Sequence, residues 1–304
     1  MSIAPEHEAS ASHLADPVVT IENLSIDYLG VVTTHAVRNV DLTLGRGEIL
    51  GLAGESGCGK STLAYGITRM LKPPALITSG RASFHSRDGG TVDLSTLSAR
   101  ELRAFRWDKI SMVFQGAMNS LNPVINIQAQ MEDIFTTHRP RMSRTDRRRT
   151  CGDLLERVGV DRSRLRSFPH ELSGGMRQRV MIAMAMALGP QVMIMDEPTT
   201  ALDVVVQREI LDEITRLREE LGFAVLFITH DLPLLLEISD RIAVMRAGEI
   251  VELNTARDLY ISPRTDYTKR LLASFPSLTG ERGDFIRTGV ADDRLTETGQ
   301  EVQA

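Results

Sequence analysis

One short string limits the fold of this chain more than anything else in it: Gly54-Glu55-Ser56-Gly57-Cys58-Gly59-Lys60-Ser61-Thr62, which satisfies Gly-x4-Gly-Lys-Ser. A β-like run at 48–52 leads into it, and helical spacing follows from 61 to 71 until Pro73-Pro74 stops it. Strand, glycine loop and helix in that order turn backbone N–H groups inward at a helix N-terminus, where the dipole favours an anion. In such a loop Lys60 neutralises β/γ-phosphate oxygens and the Ser61 hydroxyl takes a place on Mg2+.

The rest of the chain must supply a core around that loop. Further β-like runs lie at 18–21 and 36–44, and a strand at 110–114 ends at Gln115. Residues 116–172 read as helical and charged, with Leu154, Leu155 and Val158 at helical spacing. A helix at 174–188, a strand at 192–195, a helix at 210–221 and a strand at 224–229 follow. This alternation predicts an α/β core around a parallel sheet. The 116–172 block separates two halves of a nucleotide site and is therefore expected to form an inserted helical lobe. Patterning weakens from about 256, and 280–304 is expected to be loose.

Two more strings carry chemistry. The apolar run 192–195 ends in Asp196-Glu197, where Asp196 would hold Mg2+ and Glu197 would orient or deprotonate an attacking water. An acidic pair after an apolar run usually marks only a strand end. Here Pro198-Thr199-Thr200-Ala201-Leu202-Asp203 follows and makes that reading inadequate. The other string is Leu172-Ser173-Gly174-Gly175-Met176-Arg177-Gln178. Ser173 and the N–H groups of Gly174 and Gly175 form a second anion site at a helix start. Placed in a separate lobe, it would serve the phosphate loop of a partner chain.

Composition excludes several classes. At 304 residues with 42% apolar and 25% charged side chains, the chain can bury one large core, or one core with a smaller lobe. A net charge of −5 argues against a dedicated nucleic-acid binder. The run Arg139-Pro140-Arg141, Arg144, Arg147-Arg148-Arg149 is better read as a solvated helix start capped near Ser143 or Thr145. Two cysteines, Cys58 and Cys151, make neither a disulfide framework nor a zinc site and fit a reducing compartment. The N-terminus lacks a signal-peptide pattern, and no apolar stretch approaches the ~20 residues of a membrane span. A soluble chain is expected, reaching a membrane only through partners.

With these strings assembled, the chain resembles an ATP-binding cassette (ABC) transporter ATPase over about residues 18–265. The resemblance implies a P-loop α/β core with an N-terminal antiparallel β-subdomain and a helical subdomain inserted at about 116–174. Residues 1–17 would be a disordered arm and 266–304 a partly disordered extension. It implies ATP and Mg2+ as ligands: the phosphate loop is 54–62, the metal group is Ser61, Gln115 and Asp196, and Glu197 is the catalytic carboxylate. Gln115 would reach Mg2+ and the attacking water, and His230 after Phe227-Ile228-Thr229 would hold the γ-phosphate. The string at 172–178 would be the signature, Ala201-Leu202-Asp203 the loop exchanged between monomers, and Tyr28 the aromatic stacked on adenine.

Within the family, Ser120-Leu121-Asn122-Pro123, Phe168-Pro169-His170-Glu171 and Tyr267-Thr268-Lys269-Arg270-Leu271-Leu272 resemble the dipeptide/oligopeptide/nickel importer branch, which also includes oligosaccharide importers. That branch implies a peripheral subunit on the cytoplasmic face of the membrane. Its partners would be two transmembrane permease subunits and a second ABC ATPase subunit, with an extracytoplasmic solute-binding protein acting indirectly; nucleic acid is not expected. A soluble ABC ATPase acting on ribosomes or DNA is the competing class, and it usually carries two cassettes or coiled-coil insertions. A nucleotide kinase would leave 172–178 unexplained. Gly116-Ala117 stands where the branch usually has Asp-Pro, and a more flexible joint is expected there. The tail lacks the extra cysteines of some relatives, so no iron–sulfur cluster is expected.

Overall fold

The computed structural model describes residues 16–200 and 202–274. Most of the N-terminal arm, Ala201 and the tail from 275 onward lie outside the described residues. Two sheets organise the chain. The first pairs β1 (Pro17–Tyr28), β2 (Thr34–Gly45), β4 (Ala75–His85) and β5 (Thr91–Asp93) antiparallel in the order β2-β1-β4-β5. The second has the order β10-β9-β3-β8-β7-β6. Its members are β3 (Ile49–Ala53), β6 (Ile110–Val113), β7 (Val192–Asp196), β8 (Ala224–Ile228), β9 (Arg241–Arg246) and β10 (Glu249–Thr255). Only the β9–β10 pair in it is antiparallel.

Both faces of the second sheet are buried, so its strands read as unbroken apolar runs instead of alternating ones. Ile49, Met193, Met195, Val225 and Phe227 pack on one side with the helices of 127–217. Leu50, Leu52, Ile194, Leu226 and Ile228 pack on the other with helix α1 (Lys60–Ile67) and the antiparallel sheet. Successive residues of each strand thus serve opposite cores, as the two-residue period requires.

The segment after β6 holds α3 (Ile127–His138) and α4 (Arg144–Arg157), following the short α2 (Ala99–Phe105) that precedes β6. Ile127, Met131, Phe135, Cys151 and Leu155 of α3 and α4 are buried together. Ser143 caps α4, its side chain accepting from the Asp146 N–H, so the arginine run is a capped helix start. Then come α5 (Gly174–Ala185), α6 (Val204–Leu221), α7 (Leu232–Ile238), α8 (Ala256–Ile261) and α9 (Asp266–Ala273). None of the described helices is long and apolar enough to cross a membrane.

Several boundaries differ from periodicity. Helix α1 stops at Ile67, short of residue 71, because Thr68 folds its hydroxyl onto Ala64 O (2.9 Å) and Arg69 takes φ +52°. The chain must reverse there to run β4 against β1, and Leu29 N–H bonds Pro74 O at 3.0 Å. Helix α5 likewise ends at Ala185, three residues short. Helix α6 begins at Val204, not 210, since the Asp203 carboxylate caps the Val206 N–H at 3.0 Å. Past residue 240 the elements run only six to eight residues each, yet they are well anchored. Buried Glu252 accepts from Arg264 N–H (2.8 Å), Thr265 N–H (3.0 Å) and the Thr265 hydroxyl (3.1 Å).

A buried ion pair ties the two sheets. Arg241 on β9 donates to Glu48 from Nε (2.6 Å) and Nη2 (3.1 Å), and also to Thr43 O on β2 (2.7 Å). Glu48 accepts in addition from Gly45 N–H at 2.6 Å. Removing one partner strands a buried charge, so Arg241→Met is expected to cost about 3–5 kcal/mol in urea unfolding. The double change Glu48→Leu/Arg241→Met should recover most of that loss; a double variant weaker than the single one would contradict this.

Candidate active site

The parallel strands end in one row. Leu52 pairs Ile228, Ile228 pairs Asp196, and Met195 pairs Val113, so Gly54, Glu197, His230 and Gln115 emerge along a single sheet edge. Glu197 N–H bonds Ile228 O (2.8 Å) and Thr229 N–H bonds Leu52 O (3.3 Å), carrying the register past the strand ends.

The loop leaving β3 needs its glycines. Gly54 has φ +150°, and a Cβ there would lie 2.2 Å from Met245 O; at Gly59 (φ +112°) it would lie 2.3 Å from Ala36 O. Gly59 precedes α1, and Leu63 N–H bonds its carbonyl at 2.9 Å. The Lys60 ammonium is folded back on the loop, donating to Gly54 O (2.7 Å) and Glu55 O (2.9 Å). Tyr28, at the end of β1, shares a hydrogen bond with the Thr62 hydroxyl at 3.2 Å, which places its ring beside the loop.

Asp196 is fully buried. Its Oδ1 accepts from the Ser61 hydroxyl at 3.0 Å, while its Oδ2 is buried without a partner. Burial raises its pKa; the Ser61 bond opposes the shift, the neighbouring Glu197 charge adds to it and Lys60 opposes it. An orphaned carboxylate oxygen beside a hydroxyl suits a hard divalent cation. Among the described residues no cluster of three or more His, Cys, Asp or Glu side chains could hold a metal. The donor set fits Mg2+, which takes one or two protein ligands and completes its shell with water and phosphate.

Glu197 has φ +46°, a left-handed conformation that costs a branched-off side chain of order 1–3 kcal/mol. Its carboxylate collects three groups. Oε2 accepts from Gln115 Nε2 (2.9 Å) and the Thr200 hydroxyl (3.1 Å), and Oε1 lies 3.1 Å from His230 Nδ1. Gln115, Glu197 and His230, separated widely in sequence, therefore meet. Thr200 is the member that motif reading passed over as mere flank. A Thr three residues after a strand-end Glu is within reach of its carboxylate, and that spacing was the available signal.

The 172–178 string does not join this cluster. Ser173 caps α5, accepting from Met176 N–H at 3.2 Å. A Cβ at Gly174 would touch Leu202 and Met118, and one at Gly175 would lie 2.6 Å from Val206 Cγ1. Leu172 and Gln178 are buried, while Met176 is partly buried against the same core. Arg177 keeps a buried Nε without a partner. Leu202 N–H bonds Thr199 O (3.2 Å) and Asp203 caps α6, and the 172–178 string packs on this 202–206 segment through Gly174 and Gly175.

The joint after Gln115 is not loose. Gly116 sits at φ +66°, and Ala117 N–H closes the turn onto Phe114 O at 3.0 Å, with Ala117 buried. This is the hydrogen bond and positive φ of a type II turn, not the flexible joint expected from sequence. A proline at 117 would remove the donor and drive residue 116 toward extended backbone.

A family profile described as ABC transporter matches residues 37–200. This chain belongs to the ABC transporter family. It is 39% identical over 267 residues to the dipeptide transport ATP-binding protein DppD of Bacillus subtilis, covering 86% of this chain and 78% of that one. A putative peptide import ATP-binding protein of Brucella melitensis is 43% identical over 257 residues, covering 84% and 75%. Among solved structures, the ATP-binding cassette MJ0796, in a dimeric post-hydrolysis state bound to ADP and Pi, superposes with a TM-score of 0.68 at 30% identity, covering 79% of this chain and 99% of that one. The family is one of ATP-binding proteins, and the chain is an ABC ATPase.

Cys58 of this ABC ATPase is buried within the phosphate loop. Burial pushes its pKa up, although the Lys60 ammonium 3.8 Å from the sulfur opposes the shift. Burial, with Glu132 nearby, pushes Cys151 up to about 12. The nucleophile is the thiolate, so alkylation near neutral pH is expected to leave both cysteines unmodified in the native chain, and to quicken only as pH rises. Mass spectrometry of native and denatured samples checks this; rapid native labelling of Cys58 near neutral pH would contradict it.

Proposed function

We propose that this chain is the ATP-hydrolysing subunit of a peptide importer, working as one half of a pair of cassettes. The observation that carries the catalytic reading is the convergence of Gln115, Thr200 and His230 on Glu197, beside the Asp196–Ser61 pair. Relatives named for dipeptide, oligopeptide and glutathione transport support peptides as the cargo class.

In this reading Lys60 leaves Gly54 O and Glu55 O for the β/γ-phosphates, and the N–H groups from Gly57 to Thr62 complete the cradle. Ser61, Asp196 and Gln115 would hold Mg2+. When bound, the ion neutralises phosphate charge. Glu197 accepts the proton of the attacking water. His230 and Gln115, now hydrogen-bonded to that carboxylate, turn toward the γ-phosphate and the water. Tyr28 lies against the adenine. A second cassette presents its own signature, the counterpart of Ser173 and Gly175, to the same ATP. Its counterpart of the 201–203 loop crosses between the two.

The body of the cassette spans 18–265, with 116–174 as the lobe that meets two membrane permeases at the cytoplasmic face, fed by an extracytoplasmic solute-binding protein. Glu197→Gln is expected to reduce ATP turnover by about 10^3-fold, in the range of lost general-base and positioning terms. In MgATP the same variant should shift to a dimer by light scattering, and cells relying on it should lose uptake of labelled di- and tripeptides. Wild-type turnover in the variant would contradict the assignment of Glu197. Full peptide uptake without the subunit would contradict the cargo.

A further inference from the structure

The phosphate loop is held from outside by the last elements of the described chain. Gly248 N–H, in the β9–β10 turn, bonds Cys58 O at 2.9 Å. Glu55 N–H bonds the Tyr267 hydroxyl at 3.3 Å, across more than two hundred residues of sequence. Tyr267 is buried, and the Arg246 guanidinium lies over its ring at 5.0 Å. Helix α9, which carries it, starts at the Thr265 cap. Buried Glu252 fixes that cap by accepting from Arg264 N–H, Thr265 N–H and the Thr265 hydroxyl. The Tyr267 hydroxyl is thus delivered to the loop by a chain of contacts, each with its own anchor.

Glu55 is held on both sides. Its N–H goes to Tyr267, and its C=O accepts from Lys60 Nζ at 2.9 Å and from Cys58 N–H at 3.3 Å. The Lys60 bond is lost whenever Lys60 moves to a phosphate, which leaves Tyr267 as the only side chain of these holders. Tyr267 is then the side chain that keeps the first turn of the loop in place while the nucleotide is bound. We infer that Tyr267 is a positioning residue for the phosphate loop, through which the C-terminal helix α9 sets nucleotide affinity. The inference rests on the nucleotide reading of the 54–62 loop. Its cause is pre-organisation: a loop already held in its bound shape loses less freedom on binding.

Tyr267→Phe in the full chain separates this role from packing. The ring and its contact with Arg246 remain, while the bond to Glu55 N–H is lost. One neutral hydrogen bond of about average worth predicts a rise of about fivefold in Kd for a fluorescent MgATP analogue and in KM for MgATP, with kcat unchanged. The melting temperature of Tyr267→Phe should stay at the wild-type value, whereas Tyr267→Ala, which also removes the ring, should lower it. Equal Kd and KM for Tyr267→Phe and wild type would overturn the inference, as would a fall in kcat at constant KM. A wild-type chain that fails to bind the analogue would overturn the nucleotide reading itself, a result distinct from equal binding by both.

Discussion

The parallel register of β3, β8, β7 and β6 is the constraint on which the rest of the molecule depends. Four strands that end level with one another release four connections at one edge, and each connection brings a different chemical group. The loop after β3 brings backbone N–H groups and Lys60. β7 ends in Asp196 and the turn after it brings Glu197; the connection after β8 brings His230, and the one after β6 brings Gln115. A slip of one residue in any pairing would turn that strand's side chains to the wrong core and withdraw its group from the row. Burial on both faces makes such a slip costly, which is how two hydrophobic cores come to fix the geometry of a polar site.

Electrostatics at that edge are arranged around charges that await partners. Lys60 rests on two loop carbonyls, Asp196 keeps one oxygen unpartnered, and Glu197 is occupied by three donors from its own chain. In the proposed function each of these groups gains a stronger partner when an anionic nucleotide and its cation enter. The signature, by contrast, spends its glycines on close packing against the 202–206 segment of the same chain, away from the row. In the proposed function one chain thus holds two halves of different sites, and this separation is what calls for a second copy or a related chain.

Much of the site was legible because its chemistry is local. The 54–62 loop, the Asp196-Glu197 pair and the 172–178 string each pack their meaning into a few neighbouring residues. The sheet was legible because its strands are buried on both sides and leave apolar runs between turn residues. Helix ends were less so. Ile67 ends α1 because β4 must return against β1, a tertiary demand that periodicity does not record. The turn at Gly116 was not legible because the replacement of Asp-Pro by Gly-Ala suggests a looser joint and does not record the hydrogen bond that glycine permits. Thr200 and Tyr267 act through contacts that motif strings name only as neighbours. The elements after residue 240 run only six to eight residues each, and the burial of Glu252 and Tyr267 anchors them.

In the proposed function, hydrolysis needs the Glu197 of one cassette and the 172–178 string of another. Specific ATPase activity measured against total cassette concentration tests it most directly. Turnover per chain should rise steeply with concentration as paired cassettes form, then level off once pairing is complete. A finite turnover per chain that stays constant down to concentrations at which light scattering shows only monomers would contradict the account.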